Sequence, residues 1–165
     1  MIGCQFLHSI QSFNHSTTLS LNHSTSLSLN FWLVKSEPDV YGWAHFTAQG
    51  RAVWDGVRNY QARNNLSAMR LGDQVLFYHS VSKPAVVGLA TVVREAYPDP
   101  TVTETPNRWV AVELEPVMAF EQPVTLAQIK AEPMLATIAL IRQSRLSVMP
   151  IRPDEFELLL KLSDT

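Results

Sequence analysis

Short runs of β-branched and aromatic residues recur from Phe31 onwards, a pattern typical of β-strands. In the run 109–117, apolar residues alternate with Glu113 and Glu115, so this strand is expected to turn one face to water. Gly88 lies inside another run and indicates a bulge or a bend. The predicted strands cover residues 31–35, 74–80, 85–96, 109–117 and 146–150.

Helical signals separate these strands. The clearest covers Asn59–Met69, whose apolar residues share one side and which Gly72 is expected to close. Asp39 is expected to cap a short helix that ends at Gly50. Two further helices are predicted at 125–131 and 153–162. Short strands with helices between them predict the α+β class and a small closed or nearly closed barrel.

Residues 1–30 differ in kind from the rest, because they contain no Lys, Arg, Asp or Glu. The segment 14–21 (NHSTTLSL) is repeated with one change as 22–29 (NHSTSLSL). Two short copies cannot build a repeat fold, and no basic signal-peptide region is present. We interpret residues 1–30 as a disordered low-complexity extension, or as upstream sequence translated from a wrongly assigned start. Residues 31–165 form the expected single domain.

Composition narrows the class of protein. A chain of 165 residues with 46% hydrophobic content suits one compact domain. Cys4 is the single cysteine, so an intrachain disulfide is excluded and no zinc-site spacing occurs. No apolar run reaches the ~20 residues of a membrane-spanning helix. We therefore expect a soluble, cytoplasmic protein with neither a membrane partner nor a metal ion.

The net charge of −2 and the pI near 6.2 argue against tight binding to nucleic-acid phosphates. The charge is uneven, however. Residues 51–70 hold four arginines and one acid, and residues 142–152 hold three arginines and no acid. If folding joins these stretches, one face is basic; otherwise the arginines are scattered and solvated.

Candidate catalytic chemistry is sparse. The domain contains no Gly-x-Ser-x-Gly motif, and its glycines are isolated, so no phosphate-cradling loop is expected. His79 lies near a strand end, and a lone histidine is more often structural than catalytic. We expect no catalytic residue and no cofactor.

The run WDGVRNYQARN at residues 54–64 is the most informative segment. It places aromatic, carboxylate, guanidinium and amide groups around one glycine turn before a helix, where free backbone N–H groups are available. Trp54 offers a flat face for stacking, and Asp55 and Asn59 offer hydrogen-bonding groups of fixed direction. The alternative is that Trp54 belongs to the core and Asp55 only caps the helix.

The segments WLVKSEP (32–38), WDGVRNYQARN (54–64), LGDQVLFYHS (71–80) and RQSRLSV (142–148), together with AYPDPT (96–101), resemble the EVE domain family. The resemblance runs from Phe31 to about Leu162. It implies a PUA-like bent mixed β-barrel with flanking helices, related to YTH and ASCH domains. It also implies a non-catalytic module that takes a modified or flipped base, such as modified cytosine, from DNA or RNA into an aromatic pocket.

Matching the family's motifs to this chain predicts a nucleobase pocket, with Trp54 and Tyr78 as the preferred stacking residues and Asn59 as a reader of the base edge. The predicted pocket residues are Trp32, Lys35, Ser36, Trp54, Gly56, Val57, Asn59, Asn64, Phe77, Tyr78, His79, Ser80, Ser144 and Ser147. The predicted phosphate contacts are Arg58, Arg63, Arg142 and Arg145, and Lys35 is a further candidate for the nucleic-acid backbone.

Two other functions stay open. A small-molecule or protein-binding barrel would use the same aromatic pocket for another ligand. An enzyme acting on nucleic acid would use His79 and Asp55 as a titrating pair, and its turnover would disappear in His79→Ala.

Overall fold

A computed structural model describes residues 28–165. Six strands form one sheet in the order β2-β5-β4-β3-β1-β6, in which β1 and β3 are parallel and the other neighbouring pairs antiparallel. The strands are β1 (Phe31–Ser36), β2 (Ala52–Trp54), β3 (Gln74–His79), β4 (Ala85–Pro98), β5 (Val110–Thr125) and β6 (Val148–Ile151). The helices are α1 (Pro38–Tyr41), α2 (Trp43–Gln49), α3 (Tyr60–Ala68), α4 (Leu126–Ala131), α5 (Ala139–Arg142) and α6 (Pro153–Ser163), with a 3-10 turn at Pro133–Leu135.

The sheet is strongly curled, as one aromatic contact shows. Trp54 lies on β2 and Phe77 on β3, and two other strands separate these strands in the sheet. On a flat sheet they would lie about 14 Å apart, at about 4.8 Å per strand. Their ring centroids are nevertheless only 5.6 Å apart. The sheet therefore curls around an apolar interior, in agreement with the predicted barrel.

Gly88 allows one of the bends. The pairing of β4 with β5 shifts between Val86 and Gly88, so the expected bulge is confirmed. The indole of Trp43 lies against this glycine so closely that an added Cβ would be 2.5 Å from the ring. Trp43 also packs edge-on against Phe77 and Phe46, which fixes α2 on the sheet.

Two strand predictions differ from the structure. β2 was not predicted, because its three residues are too few to show a period. β5 extends to Thr125, well beyond the predicted end at residue 117 and through Pro116 and Pro123. β2 pairs with β5 only at Val112–Leu114, so the later part of β5 is free of β2 on that edge. Proline is tolerated in strands along such a free edge.

The prediction of one short helix capped by Asp39 is wrong. Asp39 lies in the first turn of α1, and the capping position belongs to Glu37. Gly42 has extended backbone angles and divides the segment into α1 and α2. Gly50, in the left-handed region at φ 74°, ends α2 as expected.

The predicted extension over residues 1–30 falls mostly outside the described residues. Asn30 is tied to the sheet: its backbone N–H donates to Oδ1 of Asp73 at 3.1 Å, and its carbonyl accepts from Gln74 N–H at 3.1 Å. The ordered domain therefore already includes residue 30.

Candidate functional site

An open cleft of about 810 Å³ lies between the end of β1, helix α1 and the segment from β2 to α3. This volume is within the usual range for small-ligand sites. The cleft brings together eight of the residues predicted from sequence: Lys35, Ser36, Trp54, Gly56, Val57, Arg58, Asn59 and Ser147. We call it the main cleft.

Two aromatic rings form a corner in the main cleft. The rings of Tyr41 and Trp54 lie 6.4 Å apart at an interplanar angle of 74°. The Tyr41 hydroxyl donates to Oε1 of Gln49 at 2.7 Å, and burial raises the pKa of this phenol. The Trp54 indole N–H forms no hydrogen bond to any residue of the range 28–165, so this donor is available in a half-buried position.

Asp99 holds the loop that follows β2. Its buried carboxylate accepts hydrogen bonds from the Gly56 N–H at 3.0 Å, Nη1 of Arg58 at 2.8 Å and the Thr101 N–H at 2.8 Å. Burial alone would raise the pKa of Asp99, but the hydrogen bonds from Thr101, Arg58 and Gly56 outweigh it and bring the pKa down to about 2. Gly56, at φ 72°, permits the left-handed turn that this arrangement needs.

A lysine and a carboxylate both line the main cleft. Nζ of Lys35 donates to the Ser144 carbonyl at 2.8 Å, and burial lowers the pKa of this lysine. Burial raises the pKa of the Asp55 carboxyl, the Asp99 charge raises it further, and the Arg58 charge opposes both. The cleft thus offers both a cation and a carboxylate.

A second cleft of about 430 Å³ adjoins the first. Lys35 and Ser147 line both clefts, because the Lys35 N–H donates to the Ser147 carbonyl at 2.9 Å and joins the two segments. Tyr78 lines the second cleft while only 4% exposed, and burial raises the pKa of its phenol. The predicted residues gathered here are Tyr78, Ser80, Ser144 and Arg145, whereas Arg142 lies in a shallow depression beside Ser144, Arg145 and Asn59.

Residues 30–162 match the sequence profile of the EVE domain. The chain belongs to the EVE domain family. Among the relatives of this EVE domain, mouse thymocyte nuclear protein 1 is 36% identical over 167 residues, which covers 82% of this chain and 74% of the mouse protein.

Solved structures give the same family and fold. A hypothetical protein from Leishmania major is 40% identical, with a TM-score of 0.78 over 82% of this chain and 95% of that one. Human THYN1, solved in complex with DNA containing 5-methylcytosine, is 33% identical, with a TM-score of 0.76 over 82% of this chain and 98% of that one.

The YTH domain of Zygosaccharomyces rouxii MRB1 shares the fold at 16% identity, with a TM-score of 0.52 over 82% of this chain and 87% of that one. The α+β architecture with a PUA-like barrel is therefore confirmed.

Within residues 28–165, no helix is long and apolar enough to cross a membrane, and no group of three or more potential ligand side chains is placed to hold a metal ion.

Four predicted pocket residues lie elsewhere in this EVE domain. Phe77 is fully buried and stacks on Phe46, so it supports the cleft from behind without lining it. Trp32 is buried near the opposite end of β1, where its indole N–H donates to Oδ2 of Asp73 at 2.9 Å. Asn64 is exposed on α3 and accepts hydrogen bonds from Arg63.

His79 is the fourth of these residues, and its imidazole is half-buried between α2 and β3. Its Nε2 accepts a hydrogen bond from the Trp43 backbone N–H at 3.0 Å, and burial lowers the pKa of the imidazole. The neutral ring is thus engaged in holding α2 on β3. Asp55 lines the main cleft, and His79 does not line it with Asp55.

Two cleft residues already have structural partners. Oδ1 of Asn59 accepts from the Ala62 N–H at 2.9 Å and caps α3, so this oxygen already has a structural partner. Arg58 binds Asp99 and, through Nη2, the Thr101 hydroxyl at 3.2 Å. Its guanidinium is consequently half-exposed and oriented before any ligand arrives.

Tyr41 and Asp99 were absent from the predicted site. Tyr41 reaches the cleft from α1, whose sequence showed only an apolar helix face. Asp99 lies in a Pro-Asp-Pro-Thr segment, and an Asp two residues before a Thr is the usual signal for a side chain that bonds its own backbone. This signal predicts a turn, but it does not reveal the second partner far away in sequence.

Proposed function

We propose that this EVE domain is a non-catalytic module that binds DNA or RNA by accepting one modified base, with modified cytosine favoured, in the main cleft. One observation carries the proposal: Tyr41 and Trp54 form an aromatic corner in a cleft of suitable volume. The solved complex of the 33% identical human THYN1 with DNA containing 5-methylcytosine supports the choice of ligand.

The aromatic corner suits a flat ring. A base stacked on one ring would meet the other ring at its edge, because the two planes are nearly perpendicular. Stacking on an aromatic side chain contributes ~1–3 kcal/mol per base. Extraction of a base from a duplex costs a few kcal/mol, so stacking alone does not favour an extracted base and hydrogen bonds must add to it.

Asp55 and Asn59 supply those hydrogen bonds in the proposal. A carboxylate accepts well from the N4 amino group of cytosine, which an unmodified or 5-methylated ring retains. The Asn59 amide nitrogen and the Trp54 indole N–H are donors for the ring's acceptor edge. This pattern favours cytosine over thymine, because thymine presents a carbonyl oxygen where cytosine presents its amino group.

The cleft also has apolar surface for a base's methyl group. Ala52 and Val57 line it and are themselves packed into the core. Burial of one methyl group contributes about 0.8 kcal/mol, which corresponds to roughly a fourfold preference for the methylated base. Discrimination by the methyl group alone is therefore modest.

Two cations, Lys35 and Arg58, line the main cleft together with two acids, Glu37 and Asp55. Lys35, Arg58 and Arg145 are our proposed contacts for the phosphates beside the bound base, and Arg142 and Arg63 are more distant candidates. Since the net charge is −2, we expect few phosphate contacts and a shallow dependence of affinity on salt.

The enzyme alternative finds no support in the geometry of its two proposed residues. His79 uses Nε2 to accept a backbone hydrogen bond, and Asp55 lines a cleft that His79 does not line. A binding role for both clefts is the more economical proposal.

The single cysteine, Cys4, fits a reducing compartment, and we propose a cytoplasmic location on that ground.

A titration of the full chain tests the proposed function. Single- and double-stranded DNA and RNA carrying cytosine, 5-methylcytosine or N6-methyladenine are compared at low and high salt. We expect a preference for 5-methylcytosine that Trp54→Ala removes and that Lys161→Gln, on the exposed side of α6, leaves intact. Equal affinity for all bases, or a preference unchanged in Trp54→Ala, would overturn the proposal in favour of a small-molecule or protein ligand.

A further inference from the structure

A second aromatic surface lies next to the main cleft, on α3 and the loop between β4 and β5. Tyr60 and Trp109 stack with ring centroids 5.1 Å apart and an interplanar angle of 29°. Tyr60 is 56% exposed, although a large aromatic side chain at the first position of a helix is free to pack inward. We call this pair, with Arg63 and Arg108, the Tyr60 surface.

Guanidinium groups cover the aromatic pair at both ends. Cζ of Arg63 lies 5.0 Å from the centre of the Tyr60 ring, and Cζ of Arg58 lies 5.5 Å from that of Trp109. Within residues 28–165, neither Arg63 nor Arg108 forms a salt bridge. Both cations are therefore free of an ion pair within these residues, in a protein whose net charge is negative.

Arg58 connects this surface to the main cleft. The same side chain lines the cleft, binds Asp99 and lies over Trp109. A depression of about 350 Å³ includes the aromatic pair, and its lining also contains Glu104 and Arg108. Glu104 is its one acidic residue.

We propose that the Tyr60 surface binds the nucleotide next to the base held in the main cleft, so that two consecutive parts of one strand are recognised. This inference rests on the proposed function of the main cleft and extends it to the flanking strand. Tyr60 stacks on the flanking base, and Arg63 and Arg108 contact its phosphate.

Both the incoming base and Arg63 gain a stronger contact when the base replaces Arg63 on the Tyr60 ring. A solvent-exposed cation–π contact, such as that of Arg63 with Tyr60, is weaker than the stack of a base on an aromatic ring. A base that displaces Arg63 therefore gains a stronger contact. The released guanidinium, which now holds only Asn64 and the Arg108 carbonyl, gains a phosphate as a bidentate partner.

The experiment compares two ligands that differ only in flanking strand. One is the monophosphate of 5-methyl-2′-deoxycytidine, and the other is a single-stranded DNA with 5-methylcytosine at its centre. Wild-type protein should bind the longer ligand more tightly. Tyr60→Ala should reduce affinity for the longer ligand about 5- to 160-fold and leave affinity for the monophosphate unchanged.

Two further variants separate stacking from folding. Tyr60→Phe keeps the ring and should behave as wild type. Arg63→Gln should reduce the slope of log affinity against log salt by about 0.7 for the longer ligand, whereas Lys161→Gln on α6 should not. The inference would be overturned if the flanking strand increased affinity equally in the wild type, Tyr60→Ala and Arg63→Gln.

Failure of the proposed function gives a different result. If the main cleft does not read the base, Trp54→Ala will leave the preference for 5-methylcytosine unchanged or no preference will exist, while Tyr60→Ala still weakens binding of any single strand. If the Tyr60 surface is only structural, Trp54→Ala will abolish the preference and Tyr60→Ala will have no effect on either ligand.

Discussion

The carboxylate of Asp99 accepts a hydrogen bond from the guanidinium of Arg58 at 2.8 Å, although 41 residues separate them in sequence. This pair ties the loop between β4 and β5 to the segment between β2 and α3. The main cleft takes one wall from that segment, and the Tyr60 surface takes Trp109 from the far end of that loop. One buried carboxylate thus sets the relative position of two proposed binding surfaces.

The pH dependence of stability should reveal the role of Asp99. Its folded pKa of about 2 lies below its ordinary value of 3.8, so its contribution is complete above pH 3.8 and is lost as pH falls towards 2. The difference corresponds to about 2 kcal/mol of unfolding free energy. In urea unfolding, we expect Asp99→Asn to be less stable than wild type at pH 7. We also expect this variant to lack the loss of unfolding free energy between pH 3.8 and 2. An acid profile identical to wild type would contradict the assignment.

Substitutions of Trp32 and Trp54 should have different effects on binding and on stability. Trp32→Phe removes a donor from the buried Asp73 and should lower the unfolding free energy by about 1–3 kcal/mol without changing the affinity for DNA. Trp54→Phe removes the available indole N–H and should weaken binding more than it affects unfolding. Thermal unfolding and the DNA titration, made on both variants, check this. Loss of affinity in Trp32→Phe at a temperature where the protein is folded would place Trp32 in the site after all.

Gly88 should be intolerant of any side chain. An added Cβ would lie 2.5 Å from the Trp43 indole, so Gly88→Ala should destabilise the fold by about 1–3 kcal/mol and change tryptophan fluorescence. Ala119 is the residue that pairs with Gly88 on β5, and it is exposed. Its replacement by serine is the matched control and should change stability by less than about 0.5 kcal/mol. Equal stability of Gly88→Ala and wild type would show that Trp43 moves freely.

His79 should titrate below the ordinary histidine value of 6.5, because burial disfavours its charged form. Protonation would also turn Nε2 from an acceptor into a donor opposite the Trp43 N–H. The stability that neutral His79 provides is therefore complete above pH 6.5 and is lost as pH falls through its lower folded pKa. NMR titration of the imidazole signals measures this pKa, and His79→Asn should remove the corresponding loss of stability. A pKa at or above 6.5 would contradict the structural role.

The local sequence was sufficient to predict one wall of the main cleft. The residues from Trp54 to Asn59 lie within one turn of chain, so their proximity follows from the glycine turn and the helix start alone. Trp32 and Phe77 could not be placed in the same way. β1 and β3 are interior strands with buried residues at consecutive positions, and without alternation a pattern cannot tell the core face from the cleft face. Tyr41 and Asp99 depend on contacts across the fold that no local pattern contains.

The pairing of β1 with β6 has a consequence for the order of assembly. β1 is among the first elements of the domain to leave the ribosome, yet its antiparallel neighbour β6 begins at Val148. Ser147, which joins Lys35 between the two clefts, arrives equally late. A nascent chain can pair β1 with β3 early, but it carries an open sheet edge and an unfinished cleft until β6 has emerged. The two clefts are thereby completed only when the sixth strand joins the sheet.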